Sequence, residues 1–445
     1  MKANRNEEGP ARVLQEAKQA GETGTRKWAW VERTVWTDRM LEALEKGVKG
    51  GIWFSLIDKV YRPETLHRAW RKVKANKGGA GTDYQSIEGF ERDLERNLHK
   101  LHEELRTGSY QPRPIRRTYI EKPGSREQRP LGIPCVRDRV VQTALRVVME
   151  PIFERIFHPR SHGFRPERGC KDALREVDRL LKAGYVWVVD ADLEDYFGSI
   201  PHEPLMTEIE RYIGDGRVLG LLKGFLKQGI MEGLAQWTPE KGTPQGAVIS
   251  PVLANLYLNS VDGAMAAAGY RMVRYADDFV ILCCSQEEAE GALRQVQRQM
   301  AEKGLRMNPE KTRLVDGRIP GQGFDFLGYH FEGGSRWPRR KSLKKLKEAI
   351  RKKTGRSNGK SLECIITGVN VTLRGWHEYF KHSNGRVFPR LDQWIRRRLR
   401  SILRRRHKQK GISRGYDHYR WPNRYFRAAG LFSLEDAHRA LLQAS

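Results

Sequence analysis

The sequence predicts an α+β fold, with short strands in its middle third and long helices after them. Three observations carry this. Tyr275-Ala276-Asp277-Asp278 lies between Arg271-Met-Val-Arg274 and Phe279-Val-Ile-Leu-Cys-Cys284, the pattern of a β-hairpin whose tip bears adjacent carboxylates. Trp187-Val-Val-Asp-Ala-Asp-Leu193 has a short apolar strand pattern ending in Asp190 and Asp192. Ile366, Val369, Leu373, Trp376 and Phe380 then step by three and four residues, as do Leu391, Trp394, Ile395, Leu399 and Ile402, which is helical periodicity.

Along the chain, residues 1–50 are polar and weakly periodic, and are expected to form a flexible leader or a docking arm. Met1 to Trp30 carries Glu7, Glu8, Glu16 and Glu22 and no apolar run, so neither a secretory signal nor an acid-poor transit peptide fits. The expectation is a cytoplasmic protein. Pro63 to Arg106 is helical, interrupted by Asn76-Lys-Gly-Gly-Ala-Gly-Thr-Asp83, a loop by its glycine density. That loop is either a plain connector or one that approaches a phosphate backbone. Tyr119 to Arg129 predicts two short strands around a Pro-Gly turn. Thr243-Pro-Gln-Gly246 opens a turn leading into a helix-compatible run over 247–257. Leu343, Leu346 and Ile350 join the two helical stripes in a three-helix unit, so its aromatic residues are expected in the core. The expected divisions are 1–50, 51–185, 186–335, 336–410 and 411–445.

The chemistry follows from the carboxylates and the charge. Asp277 and Asp278 repel each other unless a cation sits between them. A hairpin turn prefers Asn-Gly or Asp-Gly, so turn geometry alone explains the pair poorly. Asp192 is the candidate third ligand, and three aspartates suit Mg²⁺, a hard cation that takes carboxylates plus substrate phosphates. Two such ions could clamp a phosphoryl transfer, with Mn²⁺ as a substitute. On strand alternation Asp190 is expected to face away from Asp192, and it is left out of the catalytic set. The formal charge is +28, and Pro338 to Lys410 alone holds 24 basic and four acidic residues. That imbalance calls for a polyanionic partner and leaves Arg396, Arg397, Arg398, Arg400, Arg404, Arg405 and Arg406 for solvent or phosphate. No long apolar span accompanies the charge, so a membrane is not expected. Cys135, Cys170, Cys283, Cys284 and Cys364 form no Cys-x-x-Cys pair, which argues for a reducing compartment and against structural zinc.

At these residues the chain resembles the group II intron reverse transcriptase/maturase family, from about Tyr61 to about Phe432. Seven motifs stand in family order: Arg129-Pro-Leu-Gly-Ile-Pro134, Ser161-His-Gly-Phe-Arg-Pro166, Asp192 with Phe197, Thr243-Pro-Gln-Gly246 through Ser250-Pro251, Tyr275-Ala-Asp-Asp278, Asn308-Pro-Glu-Lys-Thr312 and Phe326-Leu-Gly-Tyr329. The resemblance implies a right-hand polymerase, with fingers and palm followed by an α-helical thumb/maturase domain. It implies RNA-dependent DNA synthesis with Mg²⁺ at Asp192, Asp277 and Asp278. Lys122 and Arg129 would meet the triphosphate, Phe197 would exclude a 2′-hydroxyl unless it is simply a core side chain, and Gln245 would stand beside the nucleotide. Lys311 would reach the leaving pyrophosphate, Gly328 the primer strand, and Tyr275 would contact nucleic acid. Arg165 would touch template or nucleotide, and the thumb arginines Arg396, Arg397, Arg400, Arg404 and Arg405 would grip RNA.

The implied partners are structured intron RNA, an RNA template with its DNA primer, target DNA and deoxynucleotides; oligomeric state stays open. Splicing assistance and retrohoming are implied with them. Many relatives carry a C-terminal His/Cys-containing endonuclease; the 13 residues after Phe432 hold no such cluster, so autonomous second-strand cleavage is not expected. Tyr416 to Ser445 mixes aromatic and basic residues and either contacts nucleic acid or caps the thumb. Two rival readings remain at this level: an RNA-binding splicing cofactor with an unused polymerase site, and a group II-like polymerase recruited to repair or defence.

Overall fold

The computed structural model describes residues 28–121, 128–409 and 411–443, so Lys122 and the Pro-Gly turn beside it lie outside the described residues. The first helices are α1 (Asp38–Lys46), α2 (Ile57–Tyr61), α3 (Pro63–Asn76), α4 (Ile87–Arg92) and α5 (Leu94–Thr107). Local sequence starts several of them. The Thr37 hydroxyl accepts from Met40 N above α1, Ser86 does the same for α4, and Pro63 opens α3 where no N–H is required.

Strands β1 (Ile115–Glu121) and β2 (Gln128–Ile133) pair antiparallel, as the sequence predicts. Then come α6 (Val136–Ile156) and α7 (Cys170–Lys182). Helix α6 is almost wholly buried, which suits a helix that is apolar around most of its circumference. The glycine-dense loop 77–83 is pinned to it, because Arg139 Nη2 donates to the Gly79 carbonyl at 2.7 Å.

Strand β3 (Trp187–Ala191) precedes the short helices α8 (Tyr196–Ser199), α9 (His202–Glu210) and α10 (Gly216–Leu226). The hairpin β4 (Ile230–Glu232) and β5 (Ala235–Trp237) extends the β1–β2 pair into a sheet ordered β2-β1-β4-β5. After α11 (Ser250–Ala267), β6 (Arg271–Tyr275) and β7 (Asp278–Cys283) form the carboxylate hairpin, followed by α12 (Gln286–Glu302) and β8 (Arg313–Asp316). These strands make an antiparallel sheet in the order β6-β7-β3-β8.

Strand alternation sorts the sheet's side chains between two cores. Val189, Ala191, Phe279 and Ile281 join the large core with α6, α11 and α12. Val188, Val280, Leu282, Val273 and Val315 join a second core with α7. That second core continues into β9 (Phe324–Phe326), β10 (Tyr329–Glu332) and β11 (Ser335–Pro338), a separate antiparallel sheet.

Helices α13 (Arg340–Lys353), α14 (Leu362–Phe380) and α15 (Val387–Arg406) follow. Their predicted stripes are the core: Leu346, Ile350, Ile366, Val369, Leu373, Leu391, Ile395, Leu399 and Ile402 are buried together. Phe380 goes instead to the core beneath β10, against Tyr329 at 4.9 Å. It therefore ties the helical unit to the sheet.

One expectation is corrected, and of the two readings left open for the tail the capping one is met. The stretch 28–50 is no leader, because Trp28, Val31, Val35, Trp36, Leu41 and Leu44 are buried in the large core and Trp36 Nε1 donates to Val147 O on α6 at 3.2 Å. The tail forms α16 (Tyr416–Arg420), α17 (Asn423–Ala428) and α18 (Leu434–Gln443), and its Trp421, Phe426 and Leu434 complete the core of α13–α15. Among the described residues no helix is long and apolar enough to cross a membrane.

Candidate active site

The β6–β7 register pairs Tyr275 with Asp278, leaving Ala276 and Asp277 as the turn. Ala276 has φ +60°, in a position that hairpins usually give to glycine. A buried polar network holds it there. Arg274, 1% exposed, donates to the Ala276 carbonyl at 2.9 Å and Asn255 Oδ1 at 3.0 Å, while its Nε meets Asp262 Oδ1 at 2.8 Å. Asn255 Nδ2 in turn donates to the Gly163 carbonyl at 2.6 Å. The segment around Gly163 braces the turn from outside: His162 N donates to Arg274 O, and a Cβ on Gly163 would stand 2.2 Å from Ala276 N. Only glycine permits that approach. The sequence reading missed Arg274, Asn255 and Asp262, although Asn255 and Asp262 stand one heptad apart on the mostly apolar α11.

Ala191 pairs with Phe279, so the next residues, Asp192 and Asp278, fall opposite one another. Burial pushes the Asp278 carboxyl up to about 7, and repulsion from Asp190, Asp277 and Asp192 adds to it against the opposing charge of Arg339. Asp277 is also raised, by burial and then by Asp192, with Arg129 and Arg274 opposing. The placement of Asp190 is a correction: residues two apart on a strand share a face. It lies near enough to be the strongest charged neighbour raising Asp278, and it pairs with Arg313 at 2.7 Å. Lys311 Nζ donates to Asp192 Oδ2 at 2.6 Å, which places the predicted lysine on the carboxylate edge.

The predicted nucleotide-side residues gather next to this edge. Phe197, on α8, packs against Tyr196 at 5.5 Å and Phe164 at 6.3 Å. Its carbonyl accepts from Thr243 N at 2.7 Å, and Gln245 O accepts from Gly132 N at 2.7 Å. These two bonds draw the Thr-Pro-Gln-Gly turn between Phe197 and β2. Arg129 is exposed on β2 and favours the charged form of Asp277. Phe164, half exposed and with φ +56°, is an aromatic neighbour of Phe197 that the sequence reading did not single out.

Several of the arginines expected at nucleic acid are held by partners within the protein. Arg165 is 6% exposed; its Nη1 donates to the carbonyls of His158 and Ser161 at 2.7 and 2.6 Å, and its Nε to Glu154 Oε2 at 2.9 Å. Its fork is fully used within the protein. Arg400, 1% exposed, donates to Trp421 O and Asn423 Oδ1, both at 2.8 Å. Arg404 pairs with buried Asp417 at 3.1 Å. Arg397 and Arg405 are exposed and Arg396 is half-buried. Burial, with the Cys170 thiol nearby, pushes the Tyr275 hydroxyl up to about 12. Gly328 has φ +85° in the β9–β10 turn, and its carbonyl accepts from Arg339 N at 3.0 Å and Ser342 Oγ at 2.9 Å, coupling that turn to the start of α13.

Comparison with known proteins places this geometry. A sequence profile described as "Reverse transcriptase (RNA-dependent DNA polymerase)" matches residues 120–331, and one described as "Group II intron, maturase-specific domain" matches residues 343–421. Group II intron-encoded protein LtrA of Lactococcus lactis subsp. cremoris is 36% identical over 231 residues, 51% of this chain and 38% of LtrA, so the match spans well under half of that relative. Protein YkfC of Escherichia coli (strain K12) is 35% identical over 316 residues, 62% of this chain and 82% of YkfC. A chain of a partial Cas6-RT-Cas1–Cas2 complex aligns at 26% identity with a TM-score of 0.37, covering 56% of this chain and 41% of that one. With the polymerase profile over the carboxylate sheet and the maturase profile over the helices behind it, the chain belongs to the group II intron reverse transcriptase/maturase family.

Proposed function

We propose that the protein extends a DNA 3′ end on an RNA template and that its helical unit binds structured intron RNA, promoting splicing and retrohoming into target DNA. The observation that carries the polymerase reading is the meeting of Asp192, Asp277 and Asp278 at one sheet edge, with Arg129, Gln245 and Phe197 beside it.

A polymerase family implies a divalent metal ion. The donor chemistry fits, because Asp277 and Asp278 are half-buried and raised in part by neighbouring carboxylates, so their hard oxygens gain from an intervening cation. As placed, no three ligand-type side chains among the described residues form a ready shell, and Asp192 is engaged by Lys311. Asp192, Asp277 and Asp278 would hold two Mg²⁺ ions, or Mn²⁺ in their place. Such ions, when bound, lower the barrier by activating the primer hydroxyl and neutralising the pyrophosphate. The chain's own residues do the rest. Arg129 and Lys122 would orient the triphosphate, Gln245 the base and sugar, and Phe197 would exclude a 2′-hydroxyl. Lys311, beside Asp192, supplies charge or a proton to the departing pyrophosphate. Gly328 and Tyr275 would flank the primer, and Arg396, Arg397 and Arg405 would hold RNA phosphates.

The test is deoxynucleotide incorporation by the wild-type chain on an RNA template with an annealed DNA primer, in Mg²⁺ and in EDTA. Metal-dependent synthesis that discriminates against ribonucleotides is expected. No synthesis by folded protein that still binds RNA would favour a splicing cofactor with an unused polymerase site.

A further inference from the structure

Where β11 meets the first turns of α13 and α15, the surface opens into a cavity of about 410 Å³. Its walls are apolar: Trp337 from β11, Leu343 from α13, and Val387 with Leu391 from α15. Its rim is cationic, with Lys347, Arg386 and Arg390 and no carboxylate. Among the described residues none of these three cations is paired with an acid, whereas Arg160, Arg165, Arg274, Arg313, Arg318 and Arg336 are. Asn384 also lines the cavity; its Oδ1 accepts from Arg386 N at 3.1 Å, which leaves the amide NH₂ to donate. Its backbone N bonds Arg336 O at 2.8 Å, so the loop between α14 and α15 is fixed to β11.

An aromatic ring, aliphatic walls, one side-chain donor and a rim of unpaired cations complement a flat, apolar-faced ring that carries acceptors and is attached to phosphates. That is a nucleotide whose base has left its stack. Unpaired, splayed-out bases are how folded RNA presents sequence to proteins, by stacking on aromatic side chains. The cations alone would suit any polyanion, but the apolar lining of Trp337, Leu343, Val387 and Leu391 favours one that also carries a base.

We propose that this cavity is a binding site for one extruded base of the bound RNA, stacked against Trp337 with its flanking phosphates on Arg386, Arg390 and Lys347. The inference rests on the proposed RNA-binding role of the helical unit, and it names a specific contact for that role.

The experiment uses the full chain and a hairpin RNA carrying a single bulged 4-thiouridine, beside the same hairpin with an abasic bulge. The wild type is expected to bind the base-bearing hairpin about 5- to 150-fold more tightly, the worth of one aromatic stack. Irradiation is expected to attach the RNA to a peptide containing Trp337, Leu343 or Val387. Trp337→Ala should bring the ratio near one, and Trp337→Phe should keep most of it. The exposed pair Arg386→Gln/Arg390→Gln should weaken both hairpins and flatten the salt dependence without altering the fold. A wild-type ratio near one, cross-links confined to other surfaces, or an equal ratio for the corresponding DNA hairpin would overturn the proposal. If Trp337→Ala does not fold, the wild-type ratio and the cross-link site decide alone. Primer extension measured on the same preparation separates the two readings: discrimination without synthesis defeats the polymerase reading only, and synthesis without discrimination defeats the cavity only.

Discussion

Replacing Arg274 by methionine removes the donor to the Ala276 carbonyl and leaves Asp262 buried without its partner. Breaking such a pair costs about 3–5 kcal/mol, so the urea midpoint should fall sharply. Adding Asp262→Asn should restore much of the stability, because the orphaned charge is gone. Single-nucleotide incorporation should stay at least about tenfold down in the double variant, since a left-handed Ala276 is no longer held. Recovery of both together would mean that Arg274 serves stability alone. His162 gives a pH test in the same motif. Burial, with Arg168 and Arg165 nearby, lowers its pKa from 6.5 to about 4. The folded state then binds fewer protons than the unfolded state between those values, so its stability is complete above about 6.5 and is lost as pH falls toward 4. Relative to His162→Leu, the wild type should lose about 2–3 kcal/mol between pH 7.5 and pH 4, read from urea midpoints. The candidate aspartates were legible because a turn between two apolar runs has no need of two carboxylates. The fates of the arginines were not. Arg165 and Arg400 are consumed by Glu154 and by the Trp421 carbonyl, partners 11 and 21 residues away that no local pattern reveals.

The long helices were legible for the opposite reason, since α14 and α15 repeat their apolar positions over several turns. The tail was not, because α16 and α17 are five and six residues long and each supplies too few buried positions to show a period. Yet Trp421 and Phe426 lie in the same core as Leu399 and Ile402. Trp421→Ala should therefore destabilise the helical unit by about 3–5 kcal/mol, the cost of a large core truncation, as followed by proteolysis of residues 340–443. The same logic separates arginines on one helix. Arg400→Gln should lower stability, whereas Arg397→Gln/Arg405→Gln should leave the urea midpoint unchanged and weaken RNA binding. Equal behaviour of the two variants would count against the division between bracing and phosphate-facing side chains.

Across the whole molecule, charge and fold divide the labour. A sheet edge with Asp190, Asp192, Asp277 and Asp278 sits in a chain of net charge +28, and the segment from Pro338 to Lys410 holds 24 basic against four acidic residues. RNA affinity should fall steeply with salt, with a log-log slope of roughly −0.7 to −0.9 per phosphate contacted. A slope near zero would contradict that account. The measurement closest to the central claim is RNA-templated primer extension by the wild type and by Asp277→Ala, with RNA binding and urea midpoint recorded for both. Extension in Mg²⁺ that falls by about 100-fold or more in the variant, while folding and RNA binding persist, is the predicted result. Undiminished extension by Asp277→Ala would mean that the chemistry lies elsewhere.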